Sequence, residues 1–188
     1  EELPIIEYIK EGDYLEDKTK SKKKKLLKDL PMSLIQAIKH YFVSTAIRRA
    51  RGQKTAHSSM LINVSQYIKK QDDVYRLVNA QVIEYCDLID CLDDNPAFEK
   101  DLESIFLEKI THSNSIICQM YPEWSDRLDM PLWTNVREEL RFVAAKVRNE
   151  VRVIHSSTDD DFDLNTTRLD YNKYENREKE IDNGLYVI

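Results

Sequence analysis

Only three glycines and five prolines punctuate this chain of 188 residues. So few turn-formers leave little room for an all-β sandwich and favour long helices. They also exclude collagen-like and linker-like designs. Gly12, Gly52 and Gly184 lie too far apart to build a Gly-x-x-x-x-Gly-Lys-Ser/Thr phosphate loop. Hydrophobic residues make up 41% and charged residues 33%, enough apolar material for a core. No run of about 18 apolar residues exists to cross a membrane, and no signal peptide is recognisable. Cys86, Cys91 and Cys118 form neither a metal-ligand spacing nor an even disulfide set. From these features we expect a reducing, cytoplasmic setting and no membrane partner.

Charge is strongly segregated along the chain. Residues 1–17 carry one Lys against seven acids, and residues 18–70 carry fourteen Lys and Arg against the single acid Asp29. Residues 71–188 carry thirteen bases against twenty-six acids. A block with a net charge of +13 suits phosphate, and DNA is the expected partner. The other reading is that the basic block meets the chain's own acids inside one domain.

Hydrophobic spacing predicts a helix from about Pro31, with Leu34, Ile38, Phe42 and Ala46 on one stripe. Arg48, Arg49 and Arg51 suit its C-terminus, and Gly52 suits the left-handed residue that follows. Met60–Val64 reads as a buried strand. A long helix then carries Val74, Leu77, Val78, Val82, Tyr85, Leu88, Ile89 and Leu92, and Asp93–Pro96 breaks it. Asn95 and Pro96 should cap and open the next helix, whose buried face runs through Phe98, Leu102, Ile105, Phe106 and Ile110 to Ile116, Ile117 and Met120. A further helix is expected near Asn135, with Glu138 as capping-box partner and Val136, Leu140, Val143 and Val147 buried. Val151–His155 and Leu185–Ile188 read as strands around a polar, acidic stretch over 156–183.

These elements divide the chain into a flexible charged leading segment (1–28), the start of an α/β lobe (29–71), a helical insertion (72–150) and a return to the lobe (151–188). The chain opens on Glu1 rather than Met and closes on an apolar run, so we expect a piece of a longer protein. The predicted fold class is α/β, predominantly helical, with a few parallel strands.

Leu30-Pro31-Met32-Ser33-Leu34, Ala37-Ile38, Phe42, Ala46, Arg48-Arg49, Arg51-Gly52, His57, Ser59-Met60-Leu61-Ile62, Val64-Ser65 and Gln71 together, in this order and spacing, resemble the Z-one domain. That family is named for an expected endonuclease activity. The likeness is dense over 30–71 and thinner from 72 to 188. It implies a region of large bacterial proteins of restriction-like or phage-defence type, where it accompanies a superfamily-two helicase-like ATPase. It further implies a partial RecA-like second lobe carrying a helical insertion. The family continues with a Gly-Gly and a Leu-Ser-Arg-Gly-Leu-Thr segment holding an ATPase arginine, which this sequence does not contain. The family more often has His where Asn63 stands, so position 63 takes no proton-transfer role. ATP and Mg are expected for the parent protein and no cofactor for this segment, with other domains of the parent chain as partners.

Nucleic-acid contact is expected from Arg48, Arg49, Arg51, Lys54 and His57, which cluster at a helix end and the turn after it. The competing reading pairs these arginines with acids of the helical insertion. A metal-dependent nuclease centre needs carboxylates held on rigid structure. Its candidates are Glu16-Asp17-Lys18, the helical series Asp87, Asp90, Asp94, and Asp159–Asp161, none with clear support, so no metal site or catalytic residue is assigned. Trp124 and Trp133 are read as anchors of the 122–131 connection rather than base-stacking platforms. Two function classes therefore stand ahead of a third, a metal-dependent nuclease within this chain. One is a DNA-processing module coupled to a helicase-like ATPase, and the other is a helical module that docks a partner subunit without catalysis.

Overall fold

The computed structural model describes residues 29–62, 68–152 and 185–187. Helix α1 spans Met32–Ala50, strand β1 Ser58–Met60 and helix α2 Ile68–Asp90. After a single 3-10 turn come α3 (Pro96–Ser104), a π-helical stretch (Ile105–Thr111) and α4 (His112–Met120). A 3-10 helix, Pro122–Arg127, leads into α5 (Trp133–Val147), and β2 covers Leu185–Val187. The described residues are thus predominantly helical.

Helix α5 lies at the centre. It packs most extensively against α1, then against α2, and it also touches β2. Its apolar residues explain why. Val136, Leu140, Val143, Ala144 and Val147 recur at helical spacing, and all are fully buried. Helix α1 contributes Ile38, Phe42, Val43, Ala46 and Ile47 to the same core, and α2 contributes Val78, Val82, Cys86 and Ile89. A single cluster of buried residues thus draws on α1, α2 and α5.

The start of α1 agrees with the sequence: Pro31 precedes it, and its carbonyl accepts the Ile35 N–H at 3.0 Å. Other termini differ. Asn95 stands before Pro96, but its amide donates to the Cys91 carbonyl instead of capping α3. Helix α5 begins at Trp133, two residues earlier than Asn135, with no side-chain cap. Glu138 therefore serves no capping box. The helix across 96–120 is not uniform either. In the π stretch the Thr111 hydroxyl donates to the Phe106 carbonyl at 2.8 Å. That wider turn keeps Ile105 and Phe106 in the core. Helix α4, beyond it, buries no residue fully, and Met120 is exposed rather than on a buried face.

The strands are short. β1 and β2 pair in parallel, Ser58 with Leu185 and Met60 with Val187, and Val151 adds an isolated parallel bridge to Val187. The strand expected over Met60–Val64 lies instead at Ser58–Met60. Leu61 is 74% exposed, so the apolar run there is not a buried one. The pairing is anchored upstream, where the Tyr41 hydroxyl donates to the Ser58 carbonyl at 3.1 Å. Of the strand expected over Val151–His155, residues 153–155 lie outside the described residues, as do the expectations for 1–28, 63–67 and 156–183. Among the described residues no larger parallel sheet of RecA type is present.

Cys86 shows how tightly α2 meets α5. Its thiol is fully buried and donates to the Ala144 carbonyl at 3.3 Å. Burial, only partly offset by Arg148, pushes the thiol up to about 12, so almost no thiolate exists near neutrality. Alkylation of the native protein should label the exposed Cys91 and spare Cys86 until denaturant is added. Equal labelling of both, followed by peptide mass spectrometry, would show that the α2–α5 seam opens readily.

Candidate nucleic-acid interface

The turn after α1 is built by its glycine. Gly52 has φ of +88°, a left-handed conformation that costs glycine little. The Gly52 N–H bonds to the Arg49 carbonyl at 2.9 Å, and the Gln53 N–H to the Arg48 carbonyl at 3.0 Å. These are the two bonds of a Schellman motif, which satisfies the helix's last carbonyls and reverses the chain.

The structure brings Arg48, Arg49, Arg51, Lys54 and His57 together around this turn but aims them in different directions. Successive helical residues step about 100° around the axis, so neighbours in sequence do not share a face. Arg48 is half-buried. Its Nε donates to Gln53 Oε1 at 3.2 Å and its Nη1 to the His57 carbonyl at 3.2 Å. Arg49 is only 5% exposed. Its Nε meets Glu139 Oε2 at 2.8 Å, its Nη1 donates to the Lys54 carbonyl at 3.0 Å, and its guanidinium lies 3.5 Å over the Phe142 ring. Lys54 is exposed, and its Nζ sits 3.1 Å from the other Glu139 oxygen. Arg51 bonds to the carbonyls of Asp129 at 2.7 Å and Leu128 at 2.9 Å. Burial lowers its pKa from the ordinary value, with nearby Asp129 opposing the shift.

Two consequences follow. Arg49 is withdrawn from any external phosphate, since it is buried and paired with Glu139. Arg48 and Arg51, by contrast, are held by neutral acceptors, and among the described residues no carboxylate bonds to either side chain. A net positive charge remains at the turn, carried outward by Arg48 and Lys54.

Two of the acidic candidates are used elsewhere, and Asp94 lies exposed in the 3-10 turn after α2. Asp87 and Asp90 both bond to Arg148 of the α5 C-terminus. Asp93 bonds to Arg137 and Arg141, and Arg137 also reaches Glu99. Hydrogen bonds from Arg137 chiefly hold the Asp93 carboxyl below its usual range. These pairs lace α5 to α2 and to the start of α3. Among the described residues no group of three or more His, Cys, Asp or Glu is placed to hold a metal ion. Glu16-Asp17-Lys18 and Asp159–Asp161 lie outside the described residues. No helix among them is long and apolar enough to cross a membrane.

The model of the Z1 domain matches residues 33–184. The chain belongs to the Z1 domain family. No curated protein and no solved structure gives a significant match. The match to the Z1 domain begins inside α1, takes in the basic turn, β1 and the whole α2–α5 array, and ends just before β2.

Glu139 is the residue that sequence reasoning missed. Nothing local marks it, because its partner Arg49 is ninety residues away. Arg49, expected among the contact residues, is buried instead, and its position carried a signal for that. It stands three residues after Ala46 and seven after Phe42, on the continuation of the apolar stripe.

Proposed function

We propose that this Z1 domain is a nucleic-acid-processing module that contacts DNA backbone through Arg48 and Lys54. Arg49 and Arg51 act as the joints that hold the turn in place. The observation that carries this reading is the bonding of Arg48 and Arg51 to neutral acceptors. Charge at the turn is then available to phosphate rather than cancelled. The family resemblance supports the further reading that the module joins a helicase-like ATPase lobe of a restriction-like or defence enzyme. In that reading ATP and Mg are handled by the rest of the parent protein. The segment itself couples DNA contact to that lobe.

Fluorescence anisotropy of labelled DNA at several salt concentrations tests the proposal. Phosphate contact gives a steep fall of log affinity with log salt. Arg48→Ala combined with Lys54→Ala should lower affinity and flatten the slope by about two, roughly one per lost phosphate contact. An unchanged slope would remove the turn from the interface.

One observation favours the second reading, a helical docking module without catalysis. Glu139 takes both Arg49 and Lys54, which is the basic block meeting the chain's own acids. Absence of salt-sensitive DNA binding would leave that reading in place.

A further inference from the structure

The packing leaves two aromatic rings on the surface unexplained. Tyr121 follows α4, and Trp124 lies three residues later in the Pro122–Arg127 helix. Their rings stack, with centroids 5.3 Å apart and planes inclined by 26°. Tyr121 is 45% exposed and Trp124 48% exposed. Each ring covers one face of the other, and about half of each residue remains exposed at the surface. Trp133 is different. Its ring lies 5.5 Å from that of Phe106 and packs against the core, as an anchor should.

The stack is also fixed next to the basic turn. The Leu128 N–H donates to the Trp124 carbonyl at 3.1 Å, and the Leu128 carbonyl accepts from Arg51 Nη2 at 2.9 Å. Arg51 Nε adds a bond to the Asp129 carbonyl at 2.7 Å. Asn114 of α4 donates to the same Leu128 carbonyl at 3.1 Å, tying in the helix that precedes Tyr121. Arg51 thus staples the aromatic-bearing segment to the turn that carries Arg48 and Lys54.

We infer that the Tyr121–Trp124 stack is a platform for unpaired nucleobases, receiving single-stranded nucleic acid whose phosphates are held by Arg48 and Lys54. The inference rests on the nucleic-acid reading of the turn and adds strand selectivity to it. Every base has a π-face, so aromatic stacking accepts single strands of any sequence, whereas a duplex keeps those faces hidden. Charge decides between this occupant and an apolar protein surface. Trp124 shares its short helix with exposed Glu123, Asp126 and Arg127, and Tyr121 directly precedes it, while protein-docking cores are depleted of charge. The cations stapled alongside complement phosphate.

The test uses a labelled oligothymidine and a labelled duplex, each titrated with the protein at several salt concentrations. Trp124→Leu should weaken oligothymidine binding about tenfold. Duplex affinity and the salt slope should not change. Tyr121→Leu should give the same selective loss, so the inference does not hang on one variant, and thermal melts of both confirm that each is folded. Unchanged oligothymidine affinity in both variants, with Arg48→Ala/Lys54→Ala still weakening the wild-type interaction, overturns the platform and leaves the basic turn standing. Failure of the wild-type protein to bind either DNA overturns both.

Discussion

Leu140→Ala should destabilise the protein by about 3 kcal/mol, within the range for a large-to-small change at a fully buried site. Leu140 is completely inaccessible, in the middle of the one helix that packs on α1, α2 and β2. The substitution removes apolar contacts shared by several elements, and a site walled by rigid helices collapses poorly around a cavity. For a domain of this size the melting temperature should fall by roughly 6–12 °C. Urea unfolding should show a lower midpoint with an unchanged slope, because the surface exposed on unfolding is nearly the same. A loss below about 1 kcal/mol, closer to an ordinary surface change, would mean that α5 is not the organising helix. Phe142→Ala on the same helix provides the contrast. Phe142 is 37% exposed, so its removal should cost clearly less than that of Leu140.

The helices were the legible part of this fold. Val136, Leu140, Val143 and Val147, or Val74, Val78, Val82 and Ile89, announce a buried face because helical period is a local property of sequence. Gly52 was legible for the same reason, since a glycine after a run of arginines at a helix end has one economical use. The strands were legible only in part: Leu185–Val187 falls within the run expected as a strand and pairs in parallel, whereas β1 lies ahead of the expected Met60–Val64. Ser58–Met60 and Leu185–Val187 are three residues each, too short for a pattern, and their pairing spans more than a hundred residues. The apolar run at 60–62 misled, because Leu61 points to solvent. At the basic turn the sequence places five cationic or titratable residues together, and the structure agrees. What it hides is which of them face outward. That depends on the helical angle, readable for Arg49 from its position on the Phe42–Ala46 stripe, and on distant partners, unreadable for Glu139 and for the carbonyls that hold Arg51.

Glu139→Gln should act on stability and on DNA binding in opposite directions. In the folded protein each Glu139 oxygen takes one cation, Arg49 at 2.8 Å and Lys54 at 3.1 Å. The Lys54 arm is exposed and should matter little to stability. The Arg49 arm is buried, and removing the Glu139 carboxylate breaks a buried pair, at a cost of about 3 kcal/mol. Replacing both partners, Arg49→Met with Glu139→Leu, should recover much of that loss, because breaking one side of a buried pair costs more than replacing both with apolar groups. Acid sensitivity should change as well. Burial alone would raise the Glu139 carboxyl, but hydrogen bonds from Lys54 and Arg49 outweigh it and hold the group below its usual range. A carboxyl depressed by folding stabilises the protein above its unfolded value of about 4.3, and that contribution fades as the pH falls through the folded value. The Gln variant lacks this group, so the gap between it and the wild type should close at low pH. DNA affinity should rise in the variant, since Lys54 is released and the turn gains one unit of positive charge, with a steeper salt dependence. A variant that loses stability but binds DNA no better would assign the Glu139 pairings to the joint alone and take Lys54 out of the contact surface.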